Sequence, residues 1–130
     1  GNQAVIVSVD FESDFSDEIR IHSGTLQTEV QSFEFIEHLE AFGAGEVLLQ
    51  SIQRDGTLLG MDLNRISEVS KLTNLPVIAS GGASSLEDFR KAVQAGASAV
   101  AAGAIFQFTQ ITPMDVQNYL TMHGVSVRKI

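Results

Sequence analysis

Three places in the sequence carry residues that could do chemistry at the ends of apolar runs. Asp10 closes Ala4-Val5-Ile6-Val7-Ser8-Val9, Ser80-Gly81-Gly82 follows Pro76-Val77-Ile78-Ala79, and Gly103-Ala104 follows Ala99-Val100-Ala101-Ala102. In parallel α/β folds, ligands bind at the carboxyl ends of strands. A carboxylate at such an end sits in the mouth of the sheet, where partial desolvation can raise its pKa and suit it to proton transfer. Asp10 could equally cap the loop that follows. Glycines without Cβ let the backbone approach an anion, and free amides at a helix start can donate to it. Two consecutive strands that end in small residues therefore point to a phosphate site, against the plainer reading of tight strand-to-helix turns.

A fourth stretch, Gln53-Arg54-Asp55-Gly56-Thr57, follows the strand that ends at Gln50-Ser51. Asp-Gly is ordinarily a turn signal, but its place after a strand's carboxyl end makes it a candidate substrate-facing loop. The three histidines, His22, His38 and His123, lack metal-ligand spacing and read as structural or solvated, so no metal is expected. The acidic stretch from Asp10 to Asp17 lacks calcium-loop spacing and reads as a solvated loop.

These groups need elements to position them. Glu46-Val47-Leu48-Leu49 completes a set of four short apolar runs, and near-continuous apolar character marks parallel strands covered on both faces. Between them lie helical stripes: Val30, Phe33, Ile36 and Leu39; then Leu63, Ile66 and Val69; then Leu86, Phe89 and Val93; then Val116, Tyr119 and Leu120. Ser84 and Glu87 have capping-box spacing, Asp62 and Thr112-Pro113 are good helix starts, and Gly43, Gly96 and Gly124 stand where helices should end. The order is β-α-β-α-β-α-β-α, with a hairpin at Glu18 to His22 inserted after the first strand.

Gly43-Ala44-Gly45-Glu46-Val47 and Gly96-Ala97-Ser98-Ala99-Val100 occupy the same helix-to-strand joint. Either such joints converge on small residues, or two-unit blocks are duplicated. Four βα units make half of a (βα)8 barrel, for which about 250 residues is typical. The alternative is an open doubly wound sheet. A half barrel, with its helices outside, would leave an inner face and two edges bare, and should pair with another half. The 130 residues are one domain under either architecture, a single unit spanning 1–130.

Composition narrows the function classes. Eight basic against sixteen acidic residues give a net charge of −8, which argues against nonspecific nucleic-acid binding. Any anionic substrate must then be held by local features rather than by the overall field. The absence of cysteine excludes disulfides and thiolate metal sites. No apolar run approaches the roughly 20 residues of a membrane span, and no leader pattern is visible. A cytoplasmic protein with no cofactor and no membrane or nucleic-acid partner is expected. The first residue is Gly and the first strand opens by about residue 4, which reads as a start inside something longer.

Taken in order, AVIVSVD, GAGEVLLQSIQRDGT, LPVIASGGASSLEDF, GASAVAAGAIFQF and the closing MHGVSVRKI resemble the carboxyl-terminal half of the cyclase subunit of imidazole glycerol phosphate synthase, over nearly the whole chain. The resemblance implies a (βα)4 half of a TIM barrel, with parallel strands and outer helices. It also implies histidine biosynthesis, and a lyase-type ring closure that uses ammonia from a glutaminase partner on a phosphorylated substrate. Asp10 matches the family's fifth-strand catalytic aspartate, one of two that act as general acid and base. Ser80, Gly81, Gly82, Gly103 and Ala104 match one phosphate site, Ser51, Asp55, Gly56 and Thr57 the sixth loop, and Ser23 and Gly24 the fifth.

Gln50, Gln53 and Ala104 depart from the residues usual in the family. The half that would hold the first-strand aspartate and the second phosphate site is absent from the 130 residues. Three neighbouring readings stand beside the cyclase. One is a self-assembling, phosphate-binding homodimer of half barrels without catalysis. The others are half of the sister isomerase and half of a polysaccharide-amidation paralogue.

Overall fold

A computed structural model describes residues 1–12 and 17–128. After a 3-10 turn at Asn2–Ala4, the chain forms β1 (Ile6–Phe11), β2 (Glu18–Ile21), β3 (Leu26–Gln31), α1 (Ser32–His38), β4 (Glu46–Ser51) and α2 (Leu63–Leu72). It continues through β5 (Val77–Ser80), α3 (Leu86–Gln94), β6 (Ala99–Ala101), α4 (Ala104–Phe108) and α5 (Pro113–Met122). One sheet holds the six strands in the order β3-β2-β1-β4-β5-β6. β1, β4, β5 and β6 are parallel neighbours, and β2 and β3 add antiparallel at the β1 side.

This order decides the architecture. From β1 through β4 and β5 to β6 each new strand is laid on the same side of the last, and right-handed crossovers then put every connecting helix on one face. A doubly wound sheet needs a reversal of strand order, and the parallel part has none. Burial agrees. Val9, Phe11, Val47, Leu49, Val77 and Ala79 are buried, and the helices add Ile36, Ile66, Val69, Phe89 and Ala92 to the same core, with Leu39 just past the end of α1.

The alternate residues face the other way. Ile6 is 53% exposed, Ser8 and Ala99 are exposed, and Leu48 and Ile78 are half-buried. The fold is therefore the (βα)4 half of a barrel, with one face of its parallel sheet bare. Among the described residues, β6 pairs only with β5, and on its outer side β1 pairs with β2 only at Asp10 and Phe11.

Local signals held with instructive exceptions. Asp62 caps α2 by accepting from the Arg65 amide at 3.0 Å, and Thr112 and Asp115 form the capping box of α5. The box on α3 is shifted by one residue from the predicted Ser84 and Glu87: it uses Ser85 and Asp88. Asp88 accepts from the amides of Ser84 and Ser85 at 2.9 and 3.1 Å, while Glu87 turns outward to Arg90 and Tyr119.

Val30, predicted to open a helix, lies in β3, because the hairpin runs to Gln31 rather than stopping at His22. The two Gly-Ala joints also share their bonding. Ala44 and Ala97 amides donate to Leu39 and Ala92, five residues back, the Gly45 amide donates to Val5, just before β1, and the Ser98 amide donates to Val77, which opens β5.

Candidate active site at the strand ends

Register aligns the candidate residues in a row. Asp10 pairs with Gln50, Gln50 with Ser80, and Ser80 with Ala101, so the four lie side by side on the bare face near the carboxyl ends of the strands. On the other flank Arg20 of β2 is paired directly with Asp10. With strands about 4.8 Å apart, the Asp10 backbone is about 10 Å from β5 and about 14 Å from β6. Ser8, two residues before Asp10 and on the same face, donates its hydroxyl to Asp10 Oδ1 at 3.1 Å. Arg20 Nη2 lies 2.6 Å from Glu12 Oε2, so the cation opposite Asp10 is held by the next carboxylate along.

Beyond the row, a small cleft opens between the loops that follow β4, β5 and β6. Six predicted residues line it: Asp55, Gly56, Gly81, Gly82, Gly103 and Ala104. Leu58, Ala83, Ala102 and Ile105 complete it. None of these four apolar residues carried a signal beyond its hydrophobicity.

The glycines of the cleft differ in what requires them. Gly81 and Gly82 have φ of +102° and +92°. A Cβ on Gly81 would stand 2.6 Å from the Ser51 carbonyl oxygen, and one on Gly82 would stand 2.2 Å from that of Gly60. The fold itself demands both. Gly103 has φ of −126°, and a Cβ there would meet nothing within 4 Å. It is the N-cap of α4, whose first amides, on Ala104 and Ile105, lack helical acceptors by position.

The Asp55-Gly56-Thr57 turn is built by short local bonds. The Asp55 amide donates to Ser51 at 3.0 Å, and the Thr57 amide and hydroxyl both donate to the Arg54 carbonyl, at 3.0 and 2.7 Å. Arg54 Nη1 donates to the Gly60 carbonyl at 3.3 Å, and the Gly60 amide donates to the Gly82 carbonyl at 2.8 Å, which draws this loop onto the turn after β5. The buried oxygen Oε1 of Gln53 has no hydrogen-bond partner among the described residues.

The remaining predicted residues stand apart from the cleft. Ser51 is buried at 2% exposure and is in register with Phe11, on the helix side of the sheet rather than the bare side. Thr57 is exposed, and Ser80 is on the bare face beside the cleft. Ser23 and Gly24 form the hairpin tip, where a Gly24 Cβ would lie 3.0 Å from Ile52, so the tip folds back toward the end of β4. Sequence reasoning passed over Arg20. Its signal is the pairing of two short strands of unknown register, which only the fold resolves.

Comparison with known proteins decides the kinship. The family described as histidine biosynthesis protein matches residues 1–112. The chain belongs to that family. Within it, the chain is 43% identical over 129 residues to imidazole glycerol phosphate synthase subunit HisF of Thermotoga sp. (strain RQ2), covering 98% of this chain and 51% of that protein. The subunit HisF of Thermobifida fusca is 41% identical over 135 residues, and that of Pyrobaculum aerophilum 39% over 130, each across 98% of this chain. Those matches cover 53% and 51% of the two relatives. The chain therefore spans about half the length of the relatives it matches, and it is similar to these HisF subunits over nearly its whole length. No helix among the described residues is long and apolar enough to cross a membrane.

Proposed function

We propose that residues 1–130 form one (βα)4 unit that serves as the carboxyl-terminal half of an imidazole glycerol phosphate synthase cyclase. In this reading the cleft holds one phosphate of an extended substrate, and Asp10 moves protons as the ring closes. The observation that carries it is Gly103. Neither its backbone angle nor its packing requires glycine, yet it borders the cleft together with Ala104 and Ile105, whose amides are free of helical acceptors and can donate to an anion. The Gly81-Gly82 turn and the Asp55-Gly56 turn form the other walls.

Asp10 lies about 10 to 14 Å across the sheet from this cleft. That separation suits a substrate anchored by a phosphate at one end and reacting several bonds away. Ser8 fixes the carboxylate by donating to one of its oxygens, Oδ1. Ser80 and Gln50 lie between the two stations and offer polar groups along the substrate's length. Ser51, Thr57, Ser23 and Gly24 support the loops rather than line the cleft. The other half of the barrel would close the mouth and supply the second phosphate site, and a glutaminase would deliver ammonia.

Asp10→Asn in the complete barrel tests the reading. Turnover should fall by at least ~100-fold, the scale for losing a general acid or base, with the fold intact. Near-normal turnover would end the assignment.

A second reading rests on the bare face and the two open edges. Two copies of the chain could pair as half barrels and hold phosphate without catalysis. Solution mass and turnover by the isolated chain separate the two.

A further inference from the structure

Among the described residues Arg65 is the buried side chain that carries a charge. Its guanidinium lies between two aromatic rings, 5.1 Å from the centroid of Phe11 and 4.7 Å from that of Phe33. Nη1 donates to Asp17 Oδ1 at 2.7 Å. The same carboxylate oxygen accepts from the Ser32 hydroxyl at 2.5 Å, and the Ser32 amide donates to the Asp17 carbonyl at 2.6 Å.

Burying the Arg65 head costs desolvation that its partly exposed partner Asp17 offsets only in part, and apolar residues of similar size are often as stabilising. Stability alone therefore does not account for this arrangement. What it does account for is geometry. Phe11 is the last residue of β1 and immediately follows Asp10, and Asp17 immediately precedes β2. One guanidinium thus grips both ends of the crossing from β1 to β2, and Ser32 and Phe33 fasten the grip to the start of α1. The ladder it reinforces is short: β1 and β2 pair only as Asp10 with Arg20 and Phe11 with Ile19 among the described residues. Two such pairs are marginal by themselves.

We propose that Arg65 is a positioning residue for Asp10. From the helix side of the sheet it holds β2 against the end of β1, and so keeps Arg20, with its partner Glu12, beside Asp10 on the bare face. Its consequence for turnover rests on the cyclase reading above. Its consequence for the β1–β2 pairing does not.

The test is Arg65→Met, which keeps an apolar filler between the two rings and removes the charge. Amide exchange of Ile19, Arg20 and Ile21 should quicken by at least ~10-fold while Val47 and Leu49 stay within about twofold, the pattern of local opening. The cross-strand NOE between Asp10 and Arg20 should weaken. In the complete barrel kcat should fall at least ~10-fold with KM within about twofold, because a small misplacement of a reacting group is costly.

Unchanged β2 exchange with the NOE intact would overturn the clamp. If Arg65→Met loosens β4 as well, Asp17→Asn takes its place under the same criteria, since the amide still accepts from Ser32. Opening of β2 in a barrel whose kcat is unchanged would overturn the link to Asp10. A wild-type barrel that closes no ring would instead remove the cyclase reading, and the exchange and NOE results would still judge the clamp.

Discussion

The Gly60 amide donates to the Gly82 carbonyl at 2.8 Å, so the loop after β4 and the turn after β5 are one piece of structure. Gly82 is therefore a poor place to probe ligand binding. A Cβ there would meet the Gly60 oxygen at 2.2 Å and the Arg54 Cβ at 2.9 Å, at a φ of +92°. Gly82→Ala should cost about 2 kcal/mol or more, the range for strain at a special backbone angle combined with a clash. Gly103→Ala should stay within about 1 kcal/mol, since a first helical cap changes from Gly to Ala in open space. Paired urea denaturations check both figures, and equal losses would mean that the two glycines serve the same purpose.

Ligand binding is then best read at Gly103. A carboxylate introduced there would occupy the space before the Ala104 and Ile105 amides and repel an anion. Gly103→Glu should weaken inorganic phosphate binding by at least ~10-fold, about 1.4 kcal/mol, while the melting temperature stays close to wild type. Calorimetric titration measures the first quantity and a thermal scan the second. Unaltered phosphate affinity in the folded variant would place the anion elsewhere.

Acid should loosen the helix layer through its carboxylates. Hydrogen bonds from Arg90 and from Tyr119, whose hydroxyl donates at 2.7 Å, hold Glu87 down to about 2 from an ordinary 4.5. Burial pushes Asp88 upward, but its bonds from Ser84 and Ser85 outweigh this and its pKa is lowered. Bonds from Thr112 lower Asp115. A depressed carboxylate stabilises the fold above its unfolded pKa and loses that contribution as protons bind, so stability should decline as pH falls from about 4.5 toward 2.

Tyr119 carries the opposite sign. Its bond to Glu87 raises its pKa above 10, so its contribution is present below 10 and lost as pH rises through the raised value. Urea midpoints across pH should show both declines in the wild type. Tyr119→Phe should abolish the alkaline one and make the acid one shallower, and an unchanged acid limb would remove Tyr119 from the network.

Much of this architecture is visible in the sequence because its strands are apolar on both faces. Ile6, Leu48 and Ile78 are apolar although this chain leaves their side of the sheet uncovered, and that is what makes the runs near-continuous. What escapes is whatever depends on register or on distant partners. Val30 fits a three-residue helical spacing and a strand equally well, and pairing with β2 settles it.

Ser84-x-x-Glu87 and Ser85-x-x-Asp88 both fit a cap. The choice falls to the carboxylate that Arg90 and Tyr119 leave free. Ser51 sits where a site residue should, but parity turns it toward the helices. Arg65 is adjacent to Ile66 on the apolar stripe of α2, and nothing local reveals that two rings and a carboxylate enclose its head. α4, five residues long and without a side-chain cap, leaves no periodic trace.

The bare face leads to the last prediction. Parallel sheets are covered on both sides almost without exception. Here Leu48 and Ile78 are paired neighbours at its centre, with Ile6 exposed on β1 and Ala99 exposed on β6. The 130-residue chain on its own should associate, with a sedimentation mass that rises with concentration toward twice 14.0 kDa. Ile78→Glu leaves a solvated carboxylate in the monomer but buries it on association, so dissociation should become at least ~10-fold easier. A folded chain that stays at 14.0 kDa throughout would mean that apolar side chains at these positions can face water at no penalty large enough to drive pairing, and the second reading would lose its physical basis.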